Sequence, residues 1–188
     1  PELLRRARAN VELDTIRAQQ KAATRSGGRR VGVGFALYVE GSGMGPFEGA
    51  VVRVLPSGRV QVATGACSQG QGHQTVYAQI TADALGVPFD SIDVIGGDTS
   101  TIQFGIGTIA SRSTVTAGNA INQAAIKVKE RALSIASDLL ETAASDLEIA
   151  DGKVRIKGIP ERAISLSQVA QAAMMAVLKK GAPGDGLL

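Results

Sequence analysis

Two junctions between a loop and a helix carry most of the side chains in this sequence that could bind a ligand. The first joins glutamine amides and an imidazole to a glycine-rich turn, in the residues Gln69, Gly70, Gln71, Gly72 and His73. Glycine lets a ligand approach the backbone, and the N-terminus of the following helix favours an anion or an electron-rich oxygen. The second junction offers hydroxyls, a guanidinium and amides, in the residues Thr108, Ala110, Ser111, Arg112, Ser113 and Thr114. Together they predict one extended, polar ligand that carries phosphate.

Each junction is a weak signal by itself, because a glycine-rich turn before a helix is more often a turn than a binding site. The sequence has no G-x-x-x-x-G-K-[ST] motif, which excludes an ordinary P-loop. Arg112, flanked by hydroxyls, could pair either a phosphate or a buried carboxylate. We expect His73 to hydrogen-bond the ligand or the backbone rather than act as a base. Asp98 and Thr99 are expected to form a turn or helix cap that holds the second loop, with direct contact to the ligand as the alternative.

The composition indicates a folded domain with a real core. The chain has 188 residues, of which 44% are hydrophobic and 20% charged, enough for one compact domain or two small ones. The single cysteine, Cys67, cannot form an internal disulfide, and no C-x-x-C pair or histidine-rich cluster is present to hold zinc or iron. We expect Cys67 to be a buried structural thiol. No run approaches the roughly 20 apolar residues of a membrane span and no signal peptide opens the sequence, so we expect a cytoplasmic protein.

The net charge of +3 is unevenly distributed along the chain. Residues 1–30 hold eight Lys or Arg against three Asp or Glu, which leaves 12 against 14 in the remainder. No aromatic residue is interleaved with these arginines and no nucleic-acid-binding motif follows. The basic excess therefore indicates a solvated helix face or a surface that docks an acidic neighbour, and not a nucleic-acid-binding site.

Hydrophobic periodicity and turn residues predict alternating helices and short strands. The predicted helices span residues 2–22, 74–85, 111–142 and 165–178. The predicted strands are a buried strand at 31–39, a hairpin of 50–55 and 59–63 around Pro56-Ser57-Gly58, a strand at 92–95, and a hairpin of 147–149 and 154–156 around Asp151-Gly152. This pattern indicates an α+β fold.

In combination, the motifs resemble the molybdopterin-binding large subunit of the xanthine dehydrogenase, aldehyde oxidase and carbon monoxide dehydrogenase family. Order and spacing agree over the segments 69–75, 77–80, 97–99, 105–108 and 110–114. The resemblance covers about residues 29–173 and is nearest to bacterial carbon monoxide dehydrogenase-like members. It implies a two-layer molybdenum-cofactor-binding domain with short β-sheets or hairpins packed by helices, over residues 28–188, after a helical connector at 1–27.

The same resemblance implies the cofactor. In the family, a molybdenum atom is held by the dithiolene of a pterin, usually as the cytosine dinucleotide in bacteria, and no protein side chain ligates the metal. By this resemblance Gln71 contacts the pterin and its phosphate, while Gln69, Gly70 and Gly72 shape the same loop. Residues 110–114 match the segment that lies along the pterin and its phosphates. These are binding roles, because the cofactor carries the chemistry.

The sequence departs from the family where catalysis is concerned. The glutamate that activates the metal-bound oxygen lies far downstream in the family and is not in this sequence, and neither is the segment with the copper-binding cysteine of true carbon monoxide dehydrogenases. Cys67 does not match that cysteine. We therefore expect a fragment, or one part of a split large subunit, that has no catalytic residue and no metal ligand and is inactive alone. Glu40 is a candidate substrate-proximal residue, although a hydrogen-bonding role in its loop is as reasonable.

The resemblance implies part of the molybdenum-cofactor-binding subunit of a hydroxylase that oxidises an aldehyde, an N-heterocycle or a carbon monoxide-like substrate with oxygen from water. It implies as partners the rest of the large subunit, an iron-sulfur small subunit, an FAD-binding medium subunit and a small-molecule substrate. The alternative is a non-catalytic cofactor-binding or scaffold module of the same fold.

Overall fold

The computed structural model describes residues 2–27 and 29–180, which form helices and two three-stranded sheets. The helices are α1 Glu2–Asn10, α2 Leu13–Ser26, α3 His73–Leu85, α4 Asn119–Leu140 and α5 Leu166–Lys180. The strands are β1 Ala50–Val54, β2 Val60–Thr64, β3 Ile92–Gly96, β4 Leu147–Ala150, β5 Lys153–Ile156 and β6 Ile159–Ser165. This confirms the predicted α+β class. Two compact units are present, Pro1–Glu40 and Gly41–Leu188, and the predicted boundary after residue 27 stays a prediction.

The first unit differs from the sequence-based expectation in two places. The single helix predicted at 2–22 is interrupted at Glu12, whose φ of 49° is left-handed, and α1 has no buried residue. Short helices without tertiary packing are marginal, which explains the break. The buried strand predicted at 31–39 is wrong: this segment has no regular structure, and Tyr38 is 83% exposed. A strand needs a neighbour to satisfy its backbone, and no strand of the described residues pairs with it.

The first sheet has the order β1-β2-β3 and mixes two kinds of pairing. β1 and β2 form the predicted antiparallel hairpin, and Gly58 takes the positive φ of 87° that its turn requires. β3 pairs with β2 in parallel, so the chain crosses over through α3. α3 and α4 pack on this sheet and on each other. The core between them contains Val54, Val60, Val62, Tyr77, Leu85 and Ile121, all at most 1% exposed.

The second sheet is the antiparallel order β4-β5-β6. Asp151 and Gly152 have φ values of 51° and 73°, as the predicted two-residue hairpin turn requires. The sequence analysis missed β6, which contains Pro160 at its exposed end and pairs with an irregular register. α5 begins with reciprocal hydrogen bonds between Ser165 and Gln168, a capping box that confirms the predicted helix start.

The described helices also bear on membrane insertion. Among residues 2–27 and 29–180, none of them combines the length and the apolar character that crossing a membrane requires.

Candidate functional site

Both glycine-rich loops emerge from the same edge of the first sheet. β2 and β3 are parallel, so their carboxyl ends lie side by side, with Thr64 opposite Gly96. The loop that follows β2 leads into α3, and the loop that follows β3 leads to residues 105–114. In sheets of this kind, ligands bind beyond the carboxyl ends of the strands. The topology therefore places the two predicted junctions at one site.

A pocket of about 440 Å³ lies where the two loops meet. Its lining contains most of the predicted binding residues and two apolar side chains that the sequence analysis missed, namely Gln69, Gln71, His73, Val76, Thr108, Ile109, Ala110, Ser111, Ser113 and Thr114. Two further predicted residues, Gly70 and Gly72, belong to the same loop but do not line the pocket. The structure thus brings residues from both junctions to one cavity.

The first loop owes its shape to glycine backbones. Gly70 and Gly72 have φ values of 101° and 77°, which L side chains rarely adopt. Nothing lies within 4 Å of a Cβ built on either residue, so space remains open above the backbone. Inside the loop, the Gln69 backbone N–H donates to Gln71 Oε1 at 2.5 Å, and Gln69 Nε2 reaches across to the Thr108 carbonyl at 3.3 Å.

His73 and Tyr77 form a buried aromatic pair at the start of α3. Their exposed fractions are 6% and 0%, and their ring centroids lie 4.9 Å apart. His73 Nδ1 and the Tyr77 hydroxyl find no hydrogen-bond partner among the described residues. Burial raises the pKa of Tyr77 to about 12, so the phenol stays neutral at physiological pH. A buried polar atom without a hydrogen-bond partner is uncommon. His73, which carries one of these two atoms, lines the pocket.

The second loop makes a tight left-handed turn before its helix. Ala110 and Ser111 have φ values of 47° and 48°, an uncommon conformation for residues other than glycine. The Thr108 hydroxyl donates to the Cys67 carbonyl at 2.6 Å, which ties this loop to the first one. Residues Thr114–Gly118 then form a π-helical turn, so α4 begins later than predicted. π-turns recur at functional sites.

Arg112 does not face the pocket, which corrects its assignment as a direct cofactor contact. Its side chain is 0% exposed and pairs with the equally buried Glu48 at 2.5 Å. The sequence left two partners open for Arg112, a phosphate or a buried carboxylate, and the structure shows the carboxylate of Glu48. Sequence reasoning missed Glu48, because an isolated glutamate between Phe47 and Gly49 gives no local signal.

Cys67 and Asp98 lie beside the two binding loops. The predicted burial of Cys67 is wrong: its thiol is free and exposed, because the residue follows the buried Ala66 at the point where the chain leaves the sheet. Asp98 forms a turn, as one of the two predicted readings had it: Oδ1 accepts from the backbone and hydroxyl of Ser100 at 2.8 and 2.6 Å. The Ser100 hydroxyl is the main group that holds the pKa of Asp98 below its ordinary value.

Two further observations concern substrate and metal. Glu40 is exposed and belongs to the first unit, so its predicted substrate-proximal role stays a prediction. Within the part of the chain that the structure describes, no group of three or more His, Cys, Asp or Glu side chains is arranged to hold a metal ion. The pocket therefore offers amide, hydroxyl and imidazole groups to a ligand.

The match to known proteins extends over nearly the whole chain. A family model described as a molybdopterin cofactor-binding domain matches residues 6–185. The chain belongs to this family, which confirms the resemblance based on the motifs.

Individual relatives agree with this assignment. The chain is 39% identical to the carbon monoxide dehydrogenase large chain of Afipia carboxidovorans over 188 aligned residues, covering 92% of this chain and 23% of that protein. It is 42% identical to the 6-hydroxypseudooxynicotine dehydrogenase complex subunit gamma of Paenarthrobacter nicotinovorans over 154 residues, covering 82% and 19%. The solved structure of reconstituted CO dehydrogenase from Oligotropha carboxidovorans matches with a TM-score of 0.66 and 38% identity, covering 97% and 24%. The chain thus spans less than a quarter of the length of these curated relatives.

Proposed function

We propose that this chain is part of the molybdenum-cofactor-binding subunit of a molybdenum hydroxylase-type oxidoreductase. The substrate class would be an aldehyde, an N-heterocycle or a carbon monoxide-like substrate. The observation that carries the proposal is the pocket in which both glycine-rich loops meet, in a member of the molybdopterin cofactor-binding domain family. The neighbouring relatives named above include dehydrogenase subunits, which supports an oxidoreductase over other classes.

The pocket has the features that a bulky, polar, phosphate-bearing cofactor needs. His73 Nδ1 is buried and unpartnered among the described residues, so a ligand atom can supply its missing partner. Gly70, Gly72 and Gly107 leave open space where side chains would stand, so a ligand can reach backbone amides in both loops. Gln71, Ser111 and Thr114 line the same cavity with amide and hydroxyl groups. A molybdopterin fits this inventory of donors.

The chain's own residues would bind and orient the cofactor. When bound, the molybdenum cofactor supplies the oxidation chemistry, with water as the source of oxygen. The described residues that line the pocket include no carboxylate and no thiol, and we assign the imidazole of His73 to hydrogen bonding with the ligand. In this proposal, the general base that the reaction needs is a group outside this pocket. This lack of a carboxylate also keeps a non-catalytic cofactor-binding or scaffold module as a second candidate.

The rest of the large subunit is the first partner that we propose. Exposed apolar side chains of segments 44–47 and 104–109 support it, namely Met44 (57%), Phe47 (69%), Phe104 (43%) and Ile109 (61%). The ring centroids of Phe47 and Phe104 lie 4.8 Å apart, so these two side chains form one exposed apolar surface. Exposed apolar patches of this kind mark surfaces that other protein covers. We further propose that the partners include an iron-sulfur subunit and an FAD-binding subunit. The cofactor is proposed to be the cytosine dinucleotide form, and the protein to be cytoplasmic.

Analysis of the full-length protein purified with its partners tests these points. We expect molybdenum bound together with a pterin that releases cytidine monophosphate on hydrolysis. Dye reduction with aldehydes, N-heterocycles and carbon monoxide then separates an oxidoreductase from a scaffold. Bound molybdenum without turnover of any substrate would favour the scaffold. A preparation that contains neither molybdenum nor pterin, although the cells supply both, would contradict the proposal.

A further inference from the structure

A buried ion pair lies directly behind the second binding loop. The side chains of Glu48 and Arg112 are both 0% exposed, and Nη1 of the arginine lies 2.5 Å from Oε2 of the glutamate. Removing two charges from water costs so much free energy that apolar residues often serve stability as well or better. Stability is therefore a poor explanation for the pair, and its contacts indicate a geometric role.

The guanidinium of Arg112 joins two segments that are far apart in the sequence. Nε donates to the Met44 carbonyl at 2.8 Å, and Nη2 donates to the carbonyls of Pro46 at 2.9 Å and Phe47 at 3.3 Å. Nη1 donates to Glu48 and also to the Gly107 carbonyl at 3.0 Å. All five N–H groups of the fork are thus accounted for. Arg112 holds the loop at Gly107 against the 44–48 segment.

Glu48 contacts the place where the two binding loops cross. Its two carboxylate oxygens accept from the Ile106 backbone N–H at 3.0 and 3.3 Å. A Cβ built on Gly65 would lie 2.3 Å from the Gly105 Cα and 2.8 Å from Glu48 Oε1. The backbones of the first and second loops therefore touch through two glycines, and the carboxylate packs against that contact.

We propose that Glu48 and Arg112 are positioning residues that hold the two binding loops in their ligand-binding shape before any ligand is present. A site that is ordered in advance loses less conformational freedom when its ligand binds. The inference uses the proposed function only for the identity of that ligand. It predicts that the pair controls the local order of residues 105–108, which a residue that only stabilises the fold would not do selectively.

Amide hydrogen exchange in the full-length protein, prepared without molybdenum, provides the test. Arg112→Lys keeps the positive charge but cannot reproduce the planar five-donor fork. We expect exchange at the Ile106 amide to accelerate about tenfold or more, because it loses a hydrogen bond to a charged group that is held in place. Exchange in β4 and β5 should not change. Arg155→Lys is the matched control, since Arg155 pairs with Glu148 on those strands and the pair is 35% and 41% exposed.

Three results would overturn the proposal. The first is an unchanged exchange rate at Ile106 in the variant, and the second is equal acceleration throughout the chain. The third is an Ile106 amide that already exchanges at the rate of an unstructured chain in the cofactor-free wild type. If Arg112→Lys does not fold, Glu48→Gln replaces it, because it keeps the size and one acceptor oxygen but removes the charge.

Molybdenum content gives the second readout and separates this proposal from the previous one. In protein prepared with molybdenum, Arg112→Lys should retain severalfold less metal than the wild type at equal folded fraction, whereas Arg155→Lys should retain all of it. Faster exchange at Ile106 in a protein whose wild type never binds molybdenum would uphold the positioning role and reject the cofactor. Full retention of metal by Arg112→Lys with unchanged exchange at Ile106 would reject the positioning role alone.

Discussion

The two loops that form the pocket are built in opposite ways. The second loop is held from behind by Arg112, whose whole side chain is buried and hydrogen-bonded. The first loop is exposed at residues 69–72, and its two glycines have nothing within 4 Å of their Cβ positions. One side of the pocket is therefore shaped by buried side chains, and the other by backbone conformations that only glycine adopts without strain. Substitution of the glycines at residues 70 and 72 should consequently affect ligand binding directly, whereas substitution of the buried side chains behind the second loop should act through the order of that loop.

The largest effect is expected at the crossing point that both loops share. Gly65→Ala places a methyl group 2.3 Å from the Gly105 Cα, and backbone cannot move aside as a flexible side chain can. We expect the free energy of unfolding to fall by about 3 kcal/mol in denaturant titrations. Gly41→Ala is the control, since its Cβ would meet only the Met44 side chain, at 3.5 Å. Equal losses for the two variants would show that the loops do not depend on this contact.

The next effect concerns binding in the first loop. Gly70→Val and Gly72→Val force β-branched residues into positive φ, which costs about 1–3 kcal/mol, and fill the space above the backbone. We expect both purified proteins to lose molybdenum. Gly58→Val is the control, because Gly58 has a similar φ of 87° in the β1–β2 turn. It should lose stability but keep its metal in the folded fraction. Full metal occupancy with wild-type turnover in the first two variants would remove this loop from the site.

A smaller effect on stability is expected from the hydroxyls of the second loop. Ser113 makes no side-chain capping hydrogen bond, so Ser111→Ala with Ser113→Ala should lower the free energy of unfolding by less than about 1 kcal/mol. Molybdenum content should nevertheless fall, because contacts to a phosphate are charge-assisted. Ser165→Ala, which removes the cap of α5, should do the reverse and lower the melting temperature without loss of metal. A melting temperature that falls in the double variant while the folded fraction keeps its cofactor would indicate a structural role only.

The smallest effect at neutral pH is expected for Tyr77→Phe. The hydroxyl has no partner among the described residues, so its removal should leave the free energy of unfolding nearly unchanged at pH 7. Because burial raises the pKa of Tyr77 to about 12 in the folded protein, its stabilising contribution is complete below the unfolded pKa of about 10 and is lost as the pH rises toward 12. The wild type should therefore lose more stability than Tyr77→Phe between these values. Parallel alkaline denaturation curves would contradict the assigned pKa.

Local chemistry explains which parts of the fold could be predicted from the sequence. The two hairpin turns, the end of α3 at Leu85 and the start of α5 after Ser165 each depend on residues a few positions apart, and all are found. The contact between Glu48 and Arg112 joins positions 64 apart, and no local pattern announces it. The same reason explains the misjudged Arg112 and the strand expected at 31–39, where an apolar run predicts a strand but not the neighbour that it needs.

The contact between Gly65 and Gly105 also limits how this site can be altered by design. Neither loop can be replaced by another sequence independently of its neighbour. A replacement must keep a residue without a side chain where Gly65 and Gly105 touch. The 44–48 segment belongs to the same module, since it provides Glu48 and the carbonyls that receive Arg112. A graft that transfers pocket-forming loops to another scaffold must therefore carry the three segments 44–48, 65–72 and 105–114 together.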